Sequence, residues 1–427
     1  MRGEIMVSIC CLTYNHHKYI AKALDSFLMQ KTTFPFEIIV HDDASTDDTP
    51  KIVKEYVEKY PEIIKLIGQE TNQFSQGEVF GIYYRYIFPQ VKGKYVAFCE
   101  GDDYWINDQK LQIQFEYMEN HPNCSLAVHN VYRENESTGQ RVLNHQNITT
   151  GEYQGERALS IFNSLPHTTS MFCRFEHFKN IEDYFFQASV PDYPMYFQFL
   201  TKGSIYYSES IMSVYRFLHS TSWTNNIRNS NANNQIHAIK MLYLFETFNV
   251  QTQGEFSVPL LKRIEQYRVA ILMMEAYGFD EPVEQLYKRL DPNKMYTEQI
   301  RKLKSLADNL GFAPVVKNIK NAYLNGKKIF VYGAGRYGKM VYKTLNNNGI
   351  NITGFLVTDG YKKREIDLNV PVYYRSELPC KSEKACILVA LKPEYAKEVV
   401  SYCSQMHVWY PFRNLFMEGR RIAIWTN

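Results

Sequence analysis

The 427-residue chain reads as an α/β protein built in several parts. Three observations predict this. Residues 5 to about 135 alternate short apolar runs with amphipathic stretches, the pattern of βαβ units around a parallel sheet. Residues 230–324 change to helical spacing broken by Gly and Pro. From Lys327 the βα alternation restarts with a glycine-rich turn. A chain this long exceeds one compact core. We therefore expect an α/β domain over 1–228, a helical connector or assembly region over 229–325, and a small α/β domain over 326–427.

The elements follow in order. "MVSICCLTY" predicts the first strand, and "HKYIAKALDSFLMQ" a helix with its apolar face at Ile20, Ala23, Leu24, Phe27 and Leu28. "FEIIVHDD" is a second strand, and "DDTPKIVKEYVEKYP" a helix whose early Asp residues suit the positive end of its dipole. "IIKLIG" is a third strand, "GEVFGIYYRYIFPQV" a helix and "YVAFC" a fourth strand. A helix over "NDQKLQIQFEYMENHP" and a strand over "CSLAVHNVYREN" complete the regular part. Beyond them, "SLPHTTSMFCRF" predicts a strand, "PDYPMYFQFLTKG" a helix and "IYYSESIMSVYRF" another strand. The helices after residue 230 offer a surface for oligomerisation.

Composition narrows the class. The chain is 45% hydrophobic and 22% charged, as ordinary globular proteins are. No apolar run approaches the ~20 residues that span a bilayer. The N-terminal "MRGEIMVSICCLTYN" lacks a signal-peptide layout, since its apolar run already reads as a strand. Eight cysteines without a CxxC pair suit reduced, buried thiols and a cytoplasmic setting. From Val315 onward 18 Lys/Arg face 8 Asp/Glu, a net +10, against −7 for the rest of the chain. That asymmetry suits an anionic partner such as the inner face of a membrane, or simply a solvated basic face. Nothing in the pattern points to nucleic acid.

Two strands end in carboxylates. "VHDDAST" closes the second strand and "CEGDDYW" the fourth, so both clusters fall on one rim of a parallel sheet. Ligands of open α/β sheets bind outside the carboxyl ends of the strands. Carboxylates placed there suit a hard cation shared with substrate phosphates, though Gly and Asp are also ordinary turn residues. Trp105 is expected to pack.

"SICCLTYNHHKYIAKALDSFL", "EIIVHDDASTDDT", "YVAFCEGDDYW" with "KLQIQ", and "VPDYP" resemble, in that order, the family 2 glycosyltransferases of the GT-A (nucleotide-diphospho-sugar transferase) fold. The resemblance covers about residues 5–225. It implies that Asp43 meets the nucleobase, uracil in UDP-sugar users, with Tyr14 stacked on it. It implies that Asp103 binds a divalent cation, Mn²⁺ or Mg²⁺, while Asp102 contacts the ribose or the shell of the metal. Asp192 falls on the catalytic base of inverting members, where a carboxylate takes the proton of the acceptor hydroxyl. The same residue could cap a helix. His167, Arg216 and His219 fall near the sugar and phosphates. The processive signature QxxRW is absent, which suits transfer of a single sugar.

The last part carries "VYGAGRYG", with Gly333, Gly335 and Gly338 in GxGxxG spacing and Asp359 after the next strand. It is similar to half of a Rossmann nucleotide-binding module, where such glycines cradle a pyrophosphate and the acid meets a ribose. A dehydratase or epimerase Tyr-x-x-x-Lys signature is absent. The closing "FRNLFMEGRRIAIWTN" suits either an anionic membrane surface or a final strand.

The expectation is an inverting, metal-dependent glycosyltransferase. It would move a sugar from a nucleotide-diphosphate donor, UDP-linked, to a hydroxyl of a glycan or lipid-linked glycan. The setting implied is surface polysaccharide assembly on the cytoplasmic side of a membrane. Two alternatives stand beside it: an inactive nucleotide-sugar-binding assembly protein, and an NAD-dependent sugar modifier working through the C-terminal part.

Overall fold

The computed structural model describes residues 3–77, 79–161, 165–217, 231–276, 315–347, 349–360, 369–380, 384–391 and 407–409, with isolated helical positions between 285 and 305 and at 399. The chain divides into two compact units. One comprises Met1–Asn229 with Leu244–Leu261, the other Ser230–Tyr243 with Lys262–Asn427. The helical stretch expected over 229–325 is thus shared between the two.

The first unit begins with β1 (Val7–Thr13), α1 (Ile20–Leu28), β2 (Phe36–Asp42), α2 (Thr49–Lys59), β3 (Ile64–Gly68) and β4 (Tyr95–Phe98). β1 is buried along nearly its whole length, as an apolar run covered on both faces must be. α1 buries Ile20, Ala23, Leu24 and Phe27, the face its spacing predicts. β5 (Tyr104–Trp105), α3 (Lys110–Asn120), β6 (Cys124–Asn135), β7 (Arg141–Leu143), β8 (Gly151–Tyr153), β9 (Phe172–Arg174), α4 (Asp192–Leu200) and β10 (Ser204–Phe217) follow.

The main sheet runs β3-β2-β1-β4-β9-β6-β10-β5, with β7 added on β6 and β8 on β10. β1 pairs in parallel with both β2 and β4, so the chain winds outward to β3 and returns on the other side of β1. This leaves a crevice at the carboxyl ends of β1 and β4, where the strand order reverses. Past β4 the sheet becomes mixed, because β9 lies antiparallel to both β4 and β6. β5 joins the far edge antiparallel to β10, pairing Tyr104 with Val214 and Trp105 with Ser213.

Two elements differ from expectation. "GEVFGIYYRYIFPQV" forms a short helix at Phe80–Ile82, a π-turn at Tyr83–Ile87 and a 3₁₀ turn at Phe88–Gln90. The wider turn puts residues five apart on one face, so the Tyr83 and Phe88 rings meet at 6.1 Å between centroids. "SLPHTTSMFCRF" yields only the three-residue β9, preceded by a 3₁₀ turn at Thr168–Ser170.

That turn and α3 enclose a polar cluster inside the core. The Lys110 ammonium is fully buried, lies 4.2 Å from the Trp105 ring centroid and donates to Gln114 Oε1 at 2.8 Å. Gln114 donates in turn to the carbonyls of Ala127 and Ser170, and Trp105 Nε1 donates to Thr169 O. These bonds fasten Trp105, immediately beyond the acidic loop, to the 168–170 turn.

In the helical region, α5 (Asn231–Gln251) and α6 (Ser257–Ala276) supply Leu244–Leu261 to the first unit. There Phe248 stacks on Phe197 of α4 at 4.1 Å, and Phe245 meets Tyr193 edge-on at 5.0 Å. The segment therefore braces the helix that carries Asp192.

The second unit contains α7 (Val315–Leu324), β11 (Lys328–Tyr332), α8 (Arg336–Asn347), β12 (Gly354–Val357), β13 (Val372–Tyr374), β14 (Ala385–Val389) and β15 (His407–Trp409). Its sheet is parallel in the order β13-β12-β11-β14-β15, the winding of a mononucleotide-binding half. The region from residue 410 on, including the closing basic-aromatic segment, lies outside the described residues.

Burial lowers the ammonium of Lys110 to about 7, far below that of the unfolded chain. The unfolded chain therefore takes up a proton that the folded chain does not as pH falls from about 10 to 7, so this group lowers stability over that range. Urea midpoints measured between pH 7 and 9.5 should rise with pH in the native chain. The rise should flatten in Lys110→Met.

Candidate functional site

The site lies where β1, β2 and β4 end. The chain leaves β1 through Tyr14, Asn15 and His16, and this turn is tied to the one after β2. Asn15 N–H donates to Ser45 Oγ at 2.8 Å, Thr46 N–H donates to Asn15 Oδ1 at 2.8 Å, and His16 N–H donates to Thr49 Oγ1 at 2.8 Å. Asn15 and Ala44 both adopt left-handed backbone angles, φ 55° and 60°. Such angles persist in non-glycine residues where surrounding bonds hold them.

Between the last residue of β4 and the acidic pair stands Gly101. Its N–H donates to Leu12 O at 2.7 Å, extending the pairing with β1. A Cβ on Gly101 would lie 2.7 Å from Thr13 Oγ1 and 3.0 Å from His16 Nδ1. Only glycine lets the acidic loop seat this closely on the β1 exit.

The three carboxyl groups of the loop have different surroundings. Glu100 is half-buried, accepts from Thr168 Oγ1 at 2.8 Å and lies 3.4 Å from the Tyr83 hydroxyl. Burial, with the charges of Asp102 and Asp192 added, pushes its carboxyl up to about 7. Asp103 is 1% exposed and accepts the Arg216 backbone N–H at 2.9 Å. Burial, Asp102 and Glu100 all push its carboxyl well up. Asp102 keeps 17% of its side chain exposed and faces His16, with Nε2 and Oδ2 3.8 Å apart.

Arg216 closes the loop from behind. Its guanidinium donates to the Asp102 carbonyl and lies 3.7 Å from Glu134. It also lies against the rings of Tyr104 at 4.4 Å and Tyr19 at 5.1 Å. With 7% exposure it holds the loop's backbone. The pairing of β5 with β10 draws Arg216 under Asp102, a long-range contact with no local signature.

At the end of β2, Asp43 is 5% exposed and accepts the backbone N–H groups of Gln73 at 2.7 Å and Phe74 at 3.0 Å. It thereby anchors the loop after β3, and each carboxylate oxygen keeps capacity for a further donor. Tyr14 adjoins it through the Asp43 N–H to Thr13 O bond and presents an exposed ring, as does Phe74. The sequence reading overlooked Phe74 because no periodic pattern runs through that loop. Asp42 turns the other way and accepts from Ser45.

Asp192 is the first residue of α4, half-buried, and its carboxyl is raised by burial. Its charge adds to the raising of the Glu100 carboxyl and of the Tyr83 hydroxyl. His167 stacks on Tyr215 at 3.9 Å, and burial together with Arg133 and His145 lowers it to about 3, so it stands neutral. His219 lies outside the described residues.

In the second unit, Gly333 has φ 108° and packs against Ala390 O, while a Cβ on Gly338 would lie 1.7 Å from Gly333 O. Both glycines serve the tight crossing from β11 into α8, and Gly335 is open. Asp359 accepts from Arg375 Nε at 2.7 Å and from Ser376 N and Oγ at 3.1 and 2.6 Å. Its carboxylate thus holds the turn at Arg375–Glu377.

Residues 8–182, which hold the carboxyl ends of β1–β4 but neither Asp192 nor Arg216, match the family described as Glycosyl transferase family 2. This segment belongs to that family. The chain is 40% identical over 127 residues to an uncharacterized protein of Mycobacterium tuberculosis, covering 29% of this chain and 35% of that one. It is 35% identical over 124 residues to the poly(ribitol-phosphate) beta-N-acetylglucosaminyltransferase TarS of Staphylococcus aureus, covering 28% of this chain and 20% of TarS. The match therefore spans about a third or less of these relatives' length. A crystal structure of S. aureus TarS 1–349 in complex with UDP aligns over 76% of this chain and 93% of that one, at 19% identity and a TM-score of 0.41. The family 2 segment has a mixed α/β architecture, parallel over β3-β2-β1-β4 and mixed beyond.

The family 2 resemblance implies a divalent cation. Among the described residues no three His, Cys, Asp or Glu side chains converge to hold an ion alone. A Mg²⁺ or Mn²⁺ site completed by substrate phosphates needs only one or two protein donors. Asp102, partly exposed and held from behind by Arg216, fits that need. Asp103, enclosed and bonded to Arg216 N–H, fits a structural role.

Two substitutions separate these roles. Asp103→Ala leaves the Arg216 N–H buried without its acceptor and should cost about 1–3 kcal/mol in urea unfolding. Gly101→Ala must push the loop off Thr13 and His16. It should weaken Mn²⁺-dependent nucleotide binding, measured by calorimetry, more than it lowers the melting temperature.

Proposed function

We propose that the chain is an inverting, cation-dependent glycosyltransferase acting on a nucleotide-diphosphate sugar, UDP-linked. One observation carries the reading: the acidic loop just beyond β4 seats on the exit of the neighbouring parallel strand β1, with Asp102 Oδ2 3.8 Å from His16 Nε2 at the point where the strand order reverses. The family 2 match supports the transferase class.

In this reading Asp43 takes the polar edge of the base, with Tyr14 on its face. Asp102 would hold a divalent cation, which when bound would supply positive charge beside the diphosphate. Asp192 receives the proton of the attacking hydroxyl, and its raised carboxyl makes it a better base than an exposed aspartate. Attack from the side opposite the diphosphate inverts the anomeric centre. Thr168 and Arg216 act on the loop and not on the substrate, Thr168 by fixing Glu100 and Arg216 by fixing the Asp102 peptide.

The acceptor class proposed is a hydroxyl of a glycan or lipid-linked glycan in a surface polysaccharide. It is supported by TarS and by a Bacillus subtilis relative described as the putative teichuronic acid biosynthesis glycosyltransferase TuaG, 34% identical over 113 residues, 26% of this chain and 42% of that one. None of the described helices is long and apolar enough to cross a membrane. We place the chain on the cytoplasmic side, in peripheral contact with anionic lipid through its basic last third. A nucleotide at the Gly333–Gly338 turn and self-association through the helical region complete the proposal.

Asp192→Asn should lower the rate of sugar transfer at least ~100-fold while leaving UDP affinity in Mn²⁺ within about twofold. Asp102→Asn should weaken both. Incorporation of labelled sugar into an acceptor by Asp192→Asn at a near-native rate would remove Asp192 as the base.

A further inference from the structure

We propose that His16 is the second protein ligand of the cation site, its Nε2 standing beside Asp102 Oδ2. The inference rests on the cation-dependent reading above and adds a residue that the carboxylate motifs do not contain.

Four observations place it there. His16 sits at the exit of β1 and Asp102 just beyond β4, the two strands that border the crevice. The His16 main chain is fixed on both sides: its N–H donates to Thr49 Oγ1 at 2.8 Å, and its carbonyl accepts from the Tyr19 and Ile20 N–H groups at 2.8 and 2.9 Å. Nδ1 is buried on the side of Gly101, so Nε2 is the nitrogen turned to Asp102. Nε2 and Oδ2 lie 3.8 Å apart.

That distance is too long for a direct hydrogen bond. It does suit one atom bonded to both, since two metal–ligand bonds of about 2.1 Å span up to about 4.2 Å. The other carboxylates of the loop have different employment: Glu100 accepts from Thr168, and Asp103 from Arg216 N–H. Imidazole is a poorer ligand for Mg²⁺ than for transition ions, so a mixed nitrogen–oxygen pair would favour Mn²⁺ over Mg²⁺.

The test uses the full chain with Mn²⁺ and UDP, without turnover, read by pulsed electron paramagnetic resonance. Bound Mn²⁺ should show coupling to an imidazole nitrogen and to the diphosphate phosphorus. In His16→Gln the nitrogen coupling should vanish, and Mn²⁺ affinity should fall about tenfold or more. The melting temperature without ligand, checked in His16→Gln and His16→Ala, should stay within a few degrees of the native chain in at least one variant. Phosphorus coupling without nitrogen coupling, with unchanged affinity in His16→Gln, would overturn the His16 assignment and leave the donor-site reading standing. Absence of Mn²⁺ binding in the native chain, matched by Asp102→Asn, would overturn both.

Discussion

The site depends on the contact between the exits of β1 and β4. Gly101 brings the acidic loop against Thr13 and His16 at a distance no other residue allows. Everything chemical in the first unit is arranged around that approach. It places an imidazole beside a carboxylate at the point where the strand order reverses. It also crowds three acidic groups into one loop, which would repel unless each met a different environment.

The structure separates them by partner. Thr168 and Tyr83 surround Glu100, the Arg216 backbone takes Asp103, and Asp102 is left at the surface of the crevice. Burial and the neighbouring carboxylates push the Glu100 and Asp103 carboxyl groups up. A divalent ion would relieve their mutual repulsion. The loop is thus suited to a bound positive charge, and its backbone is already fixed by Arg216 before any ligand arrives.

The support extends well beyond the motif. Trp105 is fastened to the turn at Thr168–Ser170 by its indole N–H, and Lys110 and Gln114 join that turn to β6 from inside the core. On the opposite side, Phe245 and Phe248 brace α4 and so steady Asp192. The helical stretch, expected from its spacing to be a connector, contributes part of itself to the domain that holds the site.

The alternation of apolar runs and amphipathic helices was enough to place β1–β4 and α1–α3, because burial against a parallel sheet leaves a period in the sequence itself. The carboxyl ends of β2 and β4 were legible for the same reason, and with them Asp43, Asp102 and Asp103 as a group. What the sequence could not assign was the division of labour within that group. Asp102 and Asp103 are chemically identical neighbours, and only the pairing of β5 with β10 turns one toward Arg216 and leaves the other at the crevice. Arg216, Asp43 and Asp102 each meet partners far away in the chain: Arg216 the loop after β4, Asp43 the loop after β3, and Asp102 the exit of β1. Local pattern determines which segments are strands and helices. Which side chain meets which partner is decided by long-range packing, and at this rim that packing assigns the chemistry.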